Sequence, residues 1–586
     1  MTKQTLLLLL LLMLLCFNLP AYNSTDVMVQ GFNWESHKYS WYTIVQSKVD
    51  DLAACQIDMI WLPPPSDAAS DEGYLPRELY QLTTKYGTQA ELKSLISALH
   101  NKGIKAIADI VINHRVGKYD WADFINPTWG SWAVCKHDEW AGATGNEDSG
   151  DGYSAARDLD HSNATVQQDI KTWLNWLKNS ANGGFDGWRY DYVKGYWGGY
   201  NQIYNNATSP YFSVGELWPD IGLNYNASAP ESDYHRQKLA DWVSATGGSS
   251  AVFDFTTKWQ LQLALARGEL WRMGSIPGLI GWWAAKSVTF IDNHDTGSTQ
   301  AHWPFPGSKV MQGYAYILTH PGIPCVFWDH LYDWGLHDQI KALIRIRKDN
   351  GLSSTSSVSV QKSEANLYAA IMDGKVAMKI GSGSWDPGYG WTVAASGTDY
   401  AVWTKNANDS SPAPTDTVRT VVFMHKETTP GQDIFIKGGH DATLVPSVYP
   451  SMEEPITYNN TRNSATASIK GNDTSLDWGS ESALDWTCNI WPSSWGTKKT
   501  YANDGFGEDP ENKWGPHWWK FDVMMSGNKG DWFEFKAFMR EGSTEWWETD
   551  RSQAGTPRST VNHWGKKGYI TRCGYDEDWV EFIPLD

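Results

Sequence analysis

Cysteine is scarce, with six in 586 residues, and basic residues are too few to balance the acids: 48 Lys plus Arg stand against 67 Asp plus Glu. No basic stretch offsets that deficit. An acidic surface repels phosphate backbones, so nucleic acid is not an expected partner. The apolar run from Leu6 to Phe17 falls short of the ~20 residues a membrane helix needs. With Lys3 before it and Pro20 and Ala21 after it, it has the layout of a secretory signal peptide. Cleavage after Ala21 would give a secreted chain with no membrane segment; an uncleaved anchor is the alternative. Sequons at Asn23, Asn163, Asn206, Asn226, Asn408, Asn459 and Asn472 fit that route. Once Cys16 is removed, Cys55, Cys135, Cys325, Cys488 and Cys573 remain, and an odd count leaves at least one unpaired in the expected monomer. Their spacings match no zinc site. Cys488 with Cys573, both in the C-terminal region, is the expected disulfide.

Tryptophan, by contrast, is abundant, at 35 residues. Flat aromatic faces stack on the apolar faces of sugar rings, although most Trp in any protein is core. Eight short apolar runs punctuate the first 350 residues: Val27–Phe32, Ile57–Leu62, Ala106–Ile112, Gly187–Tyr190, Phe212–Gly215, Ala251–Phe253, Val288–Ile291 and Ile323–Phe327. Segments with helical spacing, such as Gln89–Asn101 and Val166–Asn179, lie between several of them. Eight strand–helix units predict an α/β fold, a closed (β/α)8 barrel with its active site at the carboxyl ends of the strands. The expected organisation is a signal peptide over 1–21 and a barrel over 22–351 with a long loop subdomain at about 114–162. A small antiparallel β-sheet over 352–405, a polar linker over 406–417 and an all-β module over 418–586 follow.

Four segments carry the chemistry: ADIVINHR (108–115), GFDGWRYDYVKGY (184–196), VGELW (214–218) and FIDNHD (290–295). Each reads as a buried strand that delivers polar residues at its carboxyl end. Together they bring Asp191, Glu216 and Asp295 to one rim beside Arg189, His114 and His294. Any one of these carboxylates, taken alone, is better explained as a salt bridge or a helix cap; the whole set is not. Acetal hydrolysis uses two carboxyl groups, about 5–5.5 Å apart in retaining enzymes. Arg189 lies two residues before Asp191, on the same face of an extended strand. A positive charge there favours an ionised Asp191, and desolvation would raise the pKa of Glu216, as a general acid requires.

These segments resemble the signature regions of the alpha-amylase family of glycoside hydrolases. The likeness covers nearly all of 28–405 and is nearest to the plant type, with EGYLPRELYQL (72–82), KSLISALHNKGIKAIADIVINHR (93–115) and FIDNHDTGSTQAHWPFP (290–306) especially close. The resemblance implies a secreted, retaining, endo-acting hydrolase of alpha-1,4-glucans such as starch or glycogen. Asp191 would be the nucleophile, Glu216 the acid/base and Asp295 a carboxylate that holds substrate hydroxyls. It also implies that His114, Arg189 and His294 line the cleavage subsite, that Tyr74 stacks under the sugar, and that Lys194 and Trp218 lie toward the leaving group. Asn113, Asp148, Asp151, Asp158 and the Gly195 carbonyl would hold Ca2+, although the loop's alignment admits Asp160 in place of Asp158. Hard oxygen donors of this kind suit calcium. Residues 418–438 and 532–550 faintly resemble starch-binding modules. On that reading Trp547, with Trp546 as its rival, would hold glucan, and Trp478 or Trp486 would supply a second platform. Two rivals remain: an exo-acting maltooligosaccharide-forming enzyme or transglycosylase with the same site, and a catalytically inactive glucan-binding protein.

Overall fold

The computed structural model describes residues 22–219, 229–388, 391–405, 417–429, 432–439, 517–550 and 561–585. Shorter pieces are described at 456–459, 475–476, 481–486, 512–514, 553 and 556–557. The expected signal peptide, nearly all of the expected linker, Trp478 and Cys488 lie outside the described residues.

Eight strands close into a parallel barrel: β1 (Met28–Gln30), β2 (Met59–Leu62), β3 (Lys105–Ile110), β4 (Gly187–Tyr190), β5 (Ser213–Gly215), β6 (Ala251–Phe253), β7 (Ser287–Thr289) and β8 (Ile323–Phe327). Each pairs with its sequence neighbours, and β8 closes on β1 with Met28 opposite Cys325. All eight predicted runs are therefore strands of the barrel. Strands covered on both faces read as continuous apolar stretches, which is why the runs are legible. Helices between and after the strands include α1 (Val49–Ala54), α2 (Gln89–Asn101), α3 (Ala164–Lys178) and α4 (His337–Asp349).

Local chemistry sets the helix starts. The Thr88 hydroxyl accepts from the Glu91 amide, and the Glu91 carboxylate reaches back to the Thr88 amide, a capping box that opens α2. Asn163 caps α3 by accepting from the Thr165 amide. Leu92, Leu95, Ile96 and Leu99 of α2 are buried at helical spacing, and full burial of a leucine or isoleucine contributes ~1.5–3 kcal/mol. Five strands, β9 (Val358–Ser363), β10 (Tyr368–Met372), β11 (Val376–Ile380), β12 (Trp391–Gly397) and β13 (Tyr400–Lys405), form an antiparallel sheet in the order β9-β10-β11-β13-β12. Tyr368, Met372, Val376 and Met378 of that sheet share one apolar core with the barrel. Among the described residues, no helix is long and apolar enough to cross a membrane.

The chain divides into two compact units: one runs to Trp385 and regains Val393–Thr404, and the other comprises Asp386–Thr392 and Lys405 onward. In the second unit, β14 (Thr417–His425) lies between β16 (Trp518–Ser526) and β20 (Tyr569–Gly574), with β21 (Val580–Pro584) beyond. A second sheet joins β15 (Gln432–Gly439), β17 (Trp532–Glu541), β18 (Thr544–Trp547) and β19 (His563–Lys566). Val422, Phe521 and Val523 of the first sheet and Ile434, Ile436, Phe533 and Phe535 of the second fill a common core, as two stacked sheets require. Cys573 is a free, buried thiol. It interacts with His563, and its expected partner Cys488 is not described.

Candidate active site

Arg189 organises the carboxyl end of the barrel. On β4 it stands in register with Asp109 of β3, and its Nη1 donates to Asp109 Oδ1 at 2.8 Å and to Asp191 Oδ1 at 2.7 Å. Its Nη2 lies 2.8 Å from Glu216 Oε1, an ion pair whose angles are too poor for a hydrogen bond. Glu216 directly follows β5. One fully buried guanidinium thus touches three carboxylates from three adjacent strands. Burial opposes its charge, but Asp109, Glu216 and Asp191 together hold it protonated, with a pKa well above the usual range.

The carboxyls differ in setting. Desolvation pushes the Glu216 pKa well above its ordinary value; Arg189 opposes that shift, and the charges of Asp191, Asp295 and Asp109 add to it. Asp295 is also raised, chiefly by burial, with Arg189 and His302 opposing. Asp109 is pushed up to about 7 by desolvation, against the pull of Arg189. Asp191, Glu216 and Asp295 line an open cleft together with Tyr153, Tyr192, Lys194 and Trp218. Trp218 is braced by stacking on Phe255, with ring centroids 5.1 Å apart.

The remaining residues of the expected subsite sit beneath that surface. Tyr74 stacks on His294 at 5.2 Å and donates to Asp109 Oδ2 at 2.9 Å. Trp34 continues the stack on Tyr74. His294 is buried, with Nδ1 2.8 Å from Gln30 Nε2 and Nε2 3.4 Å from Asp295 Oδ2. His114 is buried too, with Nε2 2.8 Å from the Tyr74 carbonyl oxygen and its ring stacked on Tyr153 at 3.9 Å. Burial pushes the pKa of both histidines down. Neutral imidazoles of this kind orient neighbours without adding charge.

The long loop returns to its own origin. His114–Arg115 pairs antiparallel with Arg157–Asp158, which places Asp158 opposite His114. Asn113 Nδ2 lies 3.3 Å from Asp158 Oδ1, and Asn113 Oδ1 is buried without a hydrogen-bond partner. A Cβ added to Gly195 would fall 2.0 Å from that oxygen. Asp148 is half-buried, its Oδ1 accepting from the amides of Ser149 and Gly150. Asp151 is exposed, and its amide donates to the Lys194 carbonyl. Asp160 is occupied elsewhere by Asn146 and Ser162. The loop therefore brings Asp158, not Asp160, to Asn113.

Sequence reasoning missed Asp109 and Tyr153. It also missed Asp292, whose carboxylate meets Lys258 Nζ, Thr296 Oγ1 and the Phe305 amide and so anchors the turn carrying His294 and Asp295. Asp109 did leave a signal, a charged residue inside an apolar strand, which needs a buried partner.

A model described as the alpha amylase catalytic domain matches residues 42–246, and one described as the alpha-amylase C-terminal beta-sheet domain matches residues 349–404. Probable alpha-amylase 2 of Arabidopsis thaliana is 48% identical over 394 residues, spanning 65% of this chain and 94% of that protein. The chain belongs to the alpha-amylase family. Alpha-amylase 3, chloroplastic, also of Arabidopsis thaliana, is 46% identical over 392 residues, 64% of this chain and 44% of that protein. A crystal structure of gamma-CGTase from an alkalophilic Bacillus clarkii shares 14% identity at a TM-score of 0.50, covering 95% of this chain and 98% of that one, a likeness that bears on the fold alone. The alpha-amylase family models end at residue 404, and the Trp candidates of the second unit lie beyond it. There Trp546 and Trp547 are 42% and 45% exposed on β18. Adjacent strand residues point to opposite faces, so the two cannot share one platform. Trp547 packs on Phe538 with centroids 4.6 Å apart. Trp486 pairs by backbone with Trp519.

Proposed function

We propose that this chain is a retaining, endo-acting alpha-1,4-glucan hydrolase, and that the bridging of Asp191 and Glu216 by Arg189 carries the reading. Asp191 attacks the anomeric carbon while Glu216 gives its proton to the departing glycosidic oxygen, leaving a glycosyl ester on Asp191. The raised pKa of Glu216 keeps that proton available above the ordinary glutamic acid range. Esterification removes the Asp191 charge, one of the influences that raise Glu216, so Glu216 becomes a better acid after donating and then works as base on the incoming water. Asp295 accepts hydrogen bonds from sugar hydroxyls, Trp218 and Lys194 border the leaving-group side, and Tyr74, held by His294, floors the subsite.

The alkaline limb of kcat/KM against pH follows from the same shift. Activity requires protonated Glu216, so it falls as pH rises through the raised pKa, well above the ordinary ~4.3 of a glutamic acid. A limb centred near ~4.3 would contradict the assignment of the acid.

Calcium fits the loop. Asn113 Oδ1, unpartnered and buried, faces Gly195 and neighbours Asp158, and hard oxygens are what this ion takes. Asn113, Asp158, Asp148 and the Gly195 carbonyl would hold it, with exposed Asp151 the weakest member. Bound there, the ion would fasten the long loop to the barrel beside the cleft. Chelation should lower both activity and melting temperature, and calcium alone should restore them. In Gly195→Ala, the added Cβ should abolish that calcium response; an unchanged response would remove Gly195 from the site.

We read residues 22–351 as catalytic, 352–405 as their supporting sheet and 418–586 as a glucan-tethering module based on Trp547 or Trp546. Tethering raises the local substrate concentration without altering the chemistry. The leader implies secretion. A product time course on soluble starch tests the main reading: a rapid fall in chain length with α-anomeric products supports endo, retaining cleavage. One dominant short oligosaccharide from the outset identifies the exo rival, and retention on starch without products identifies a binding protein.

A further inference from the structure

Away from the cleft, α1, between β1 and β2, and α4, after β8, meet at a mixed sulfur, nitrogen and oxygen cluster. Asp51 and Cys55 lie four residues apart on one face of α1 and its cap, and His337 opens α4. The His337 Nε2 stands 3.6 Å from Cys55 Sγ, 2.9 Å from Asp51 Oδ2 and 3.2 Å from Asp51 Oδ1. Donor atoms from the three side chains lie within 4.8 Å of one another, the one such triple of His, Cys, Asp or Glu among the described residues. Two neighbours fix the donors from behind. Asp338 Oδ1 lies 2.8 Å from His337 Nδ1, and the Tyr332 hydroxyl donates to Asp51 Oδ2 at 3.0 Å. A carboxylate on the far nitrogen of an imidazole selects the tautomer whose other nitrogen can bind a metal.

We propose that Asp51, Cys55 and His337 form a zinc-class metal site that clamps α1 to α4, with water completing the coordination. Thiolate, imidazole and carboxylate together suit zinc rather than calcium or magnesium. Tetrahedral bonds of ~2.0–2.3 Å set donors ~3.3–3.8 Å apart; the His337–Cys55 spacing already fits, and the His337–Asp51 spacing needs to open by well under an ångström. Binding releases to solvent both the thiol proton and the Nε2 proton that Asp51 accepts, as the zinc–sulfur and zinc–nitrogen bonds form. One thiolate and one carboxylate then neutralise the divalent ion, which suits a site where Cys55 is buried while His337 and Asp51 keep side-chain exposures of 28% and 34%. Chain positions 282 residues apart would be tied where β8 closes on β1.

The test uses the full chain in calcium-containing buffer. Zinc is titrated against a chromogenic zinc indicator, and cobalt(II) is added separately as a spectroscopic probe. The expected result is one competing equivalent of zinc per chain, lost in Cys55→Ser and in His337→Ala, with a melting temperature raised by zinc in the parent alone. Cobalt should give a thiolate-to-metal charge-transfer band in the parent that Cys55→Ser lacks, a readout on the unmodified protein that survives any folding failure of a variant. Absence of that band, or equal zinc stoichiometry in parent and Cys55→Ser, overturns the proposal. Its failure would leave the reading of the cleft untouched, because neither readout depends on hydrolysis.

Discussion

Asp191→Asn should reduce starch hydrolysis by ~10⁴-fold or more, the scale expected when a nucleophile is removed from a group that acts as a unit. The fold should survive. The amide keeps an oxygen where Asp191 Oδ1 now accepts from Arg189 Nη1, and Arg189 retains its contacts with Asp109 and Glu216. The stability change should stay near ~1 kcal/mol, typical of a substitution that makes no cavity. The variant should still be held on a starch column, which separates loss of chemistry from loss of binding. Glu216→Gln offers the contrasting case. With an activated glycoside, whose leaving group departs without a proton, it should still form the ester, whereas Asp191→Asn should be inert to both substrates. Appreciable hydrolysis by contaminant-free Asp191→Asn protein would contradict the nucleophile assignment, and equal responses of the two variants to the activated substrate would contradict the division of roles.

What the sequence revealed follows from what each element buries. The barrel strands are covered on both sides, so their apolar runs announce them; the helices show their buried stripes at i, i+3 and i+4, as Leu92, Leu95, Ile96 and Leu99 do. The carboxylates at the rim were legible because each ends such a run. Asp109 was overlooked because its partner, Arg189, sits 80 residues away and is revealed only by the register of β3 with β4. Tyr153 was hidden in an irregular loop until the pairing of His114 with Asp158 folded that loop back over His114. Cysteine spacing was silent on Cys55 for a similar reason. Its neighbour His337 arrives from the far end of the barrel, and a spacing rule sees only ligands close in sequence. The pairing expected of Cys573 rested on shared location alone, and the thiol is instead buried beside His563.

Arg189→Met should be the most destabilising single change in the barrel, at ~3–5 kcal/mol, the cost of leaving buried charges without their counter-ion. The methionine fills much of the arginine's volume, so the loss is electrostatic rather than a cavity effect. Asp109, Asp191 and Glu216 would then face one another with no positive charge between them. Asp109 already sits at about 7 and Glu216 well above its ordinary value, with Arg189 acting to lower both; without it, both rise further. The sign of the pH effect follows. Folded-state pKa values above the unfolded ones mean that the folded variant binds more protons. Its stability is therefore greatest below ~4 and is lost as pH rises through the raised values. The deficit of Arg189→Met relative to the parent should be small near pH 4–5 and grow toward pH 8, read by denaturant melts at each pH. Activity should be lost across that whole range, since the acid and the nucleophile lose the group that sets them against one another. A deficit independent of pH would mean that Arg189 stabilises the barrel by packing on the Trp61 ring, 4.7 Å from its guanidinium carbon, and not by holding three carboxylates.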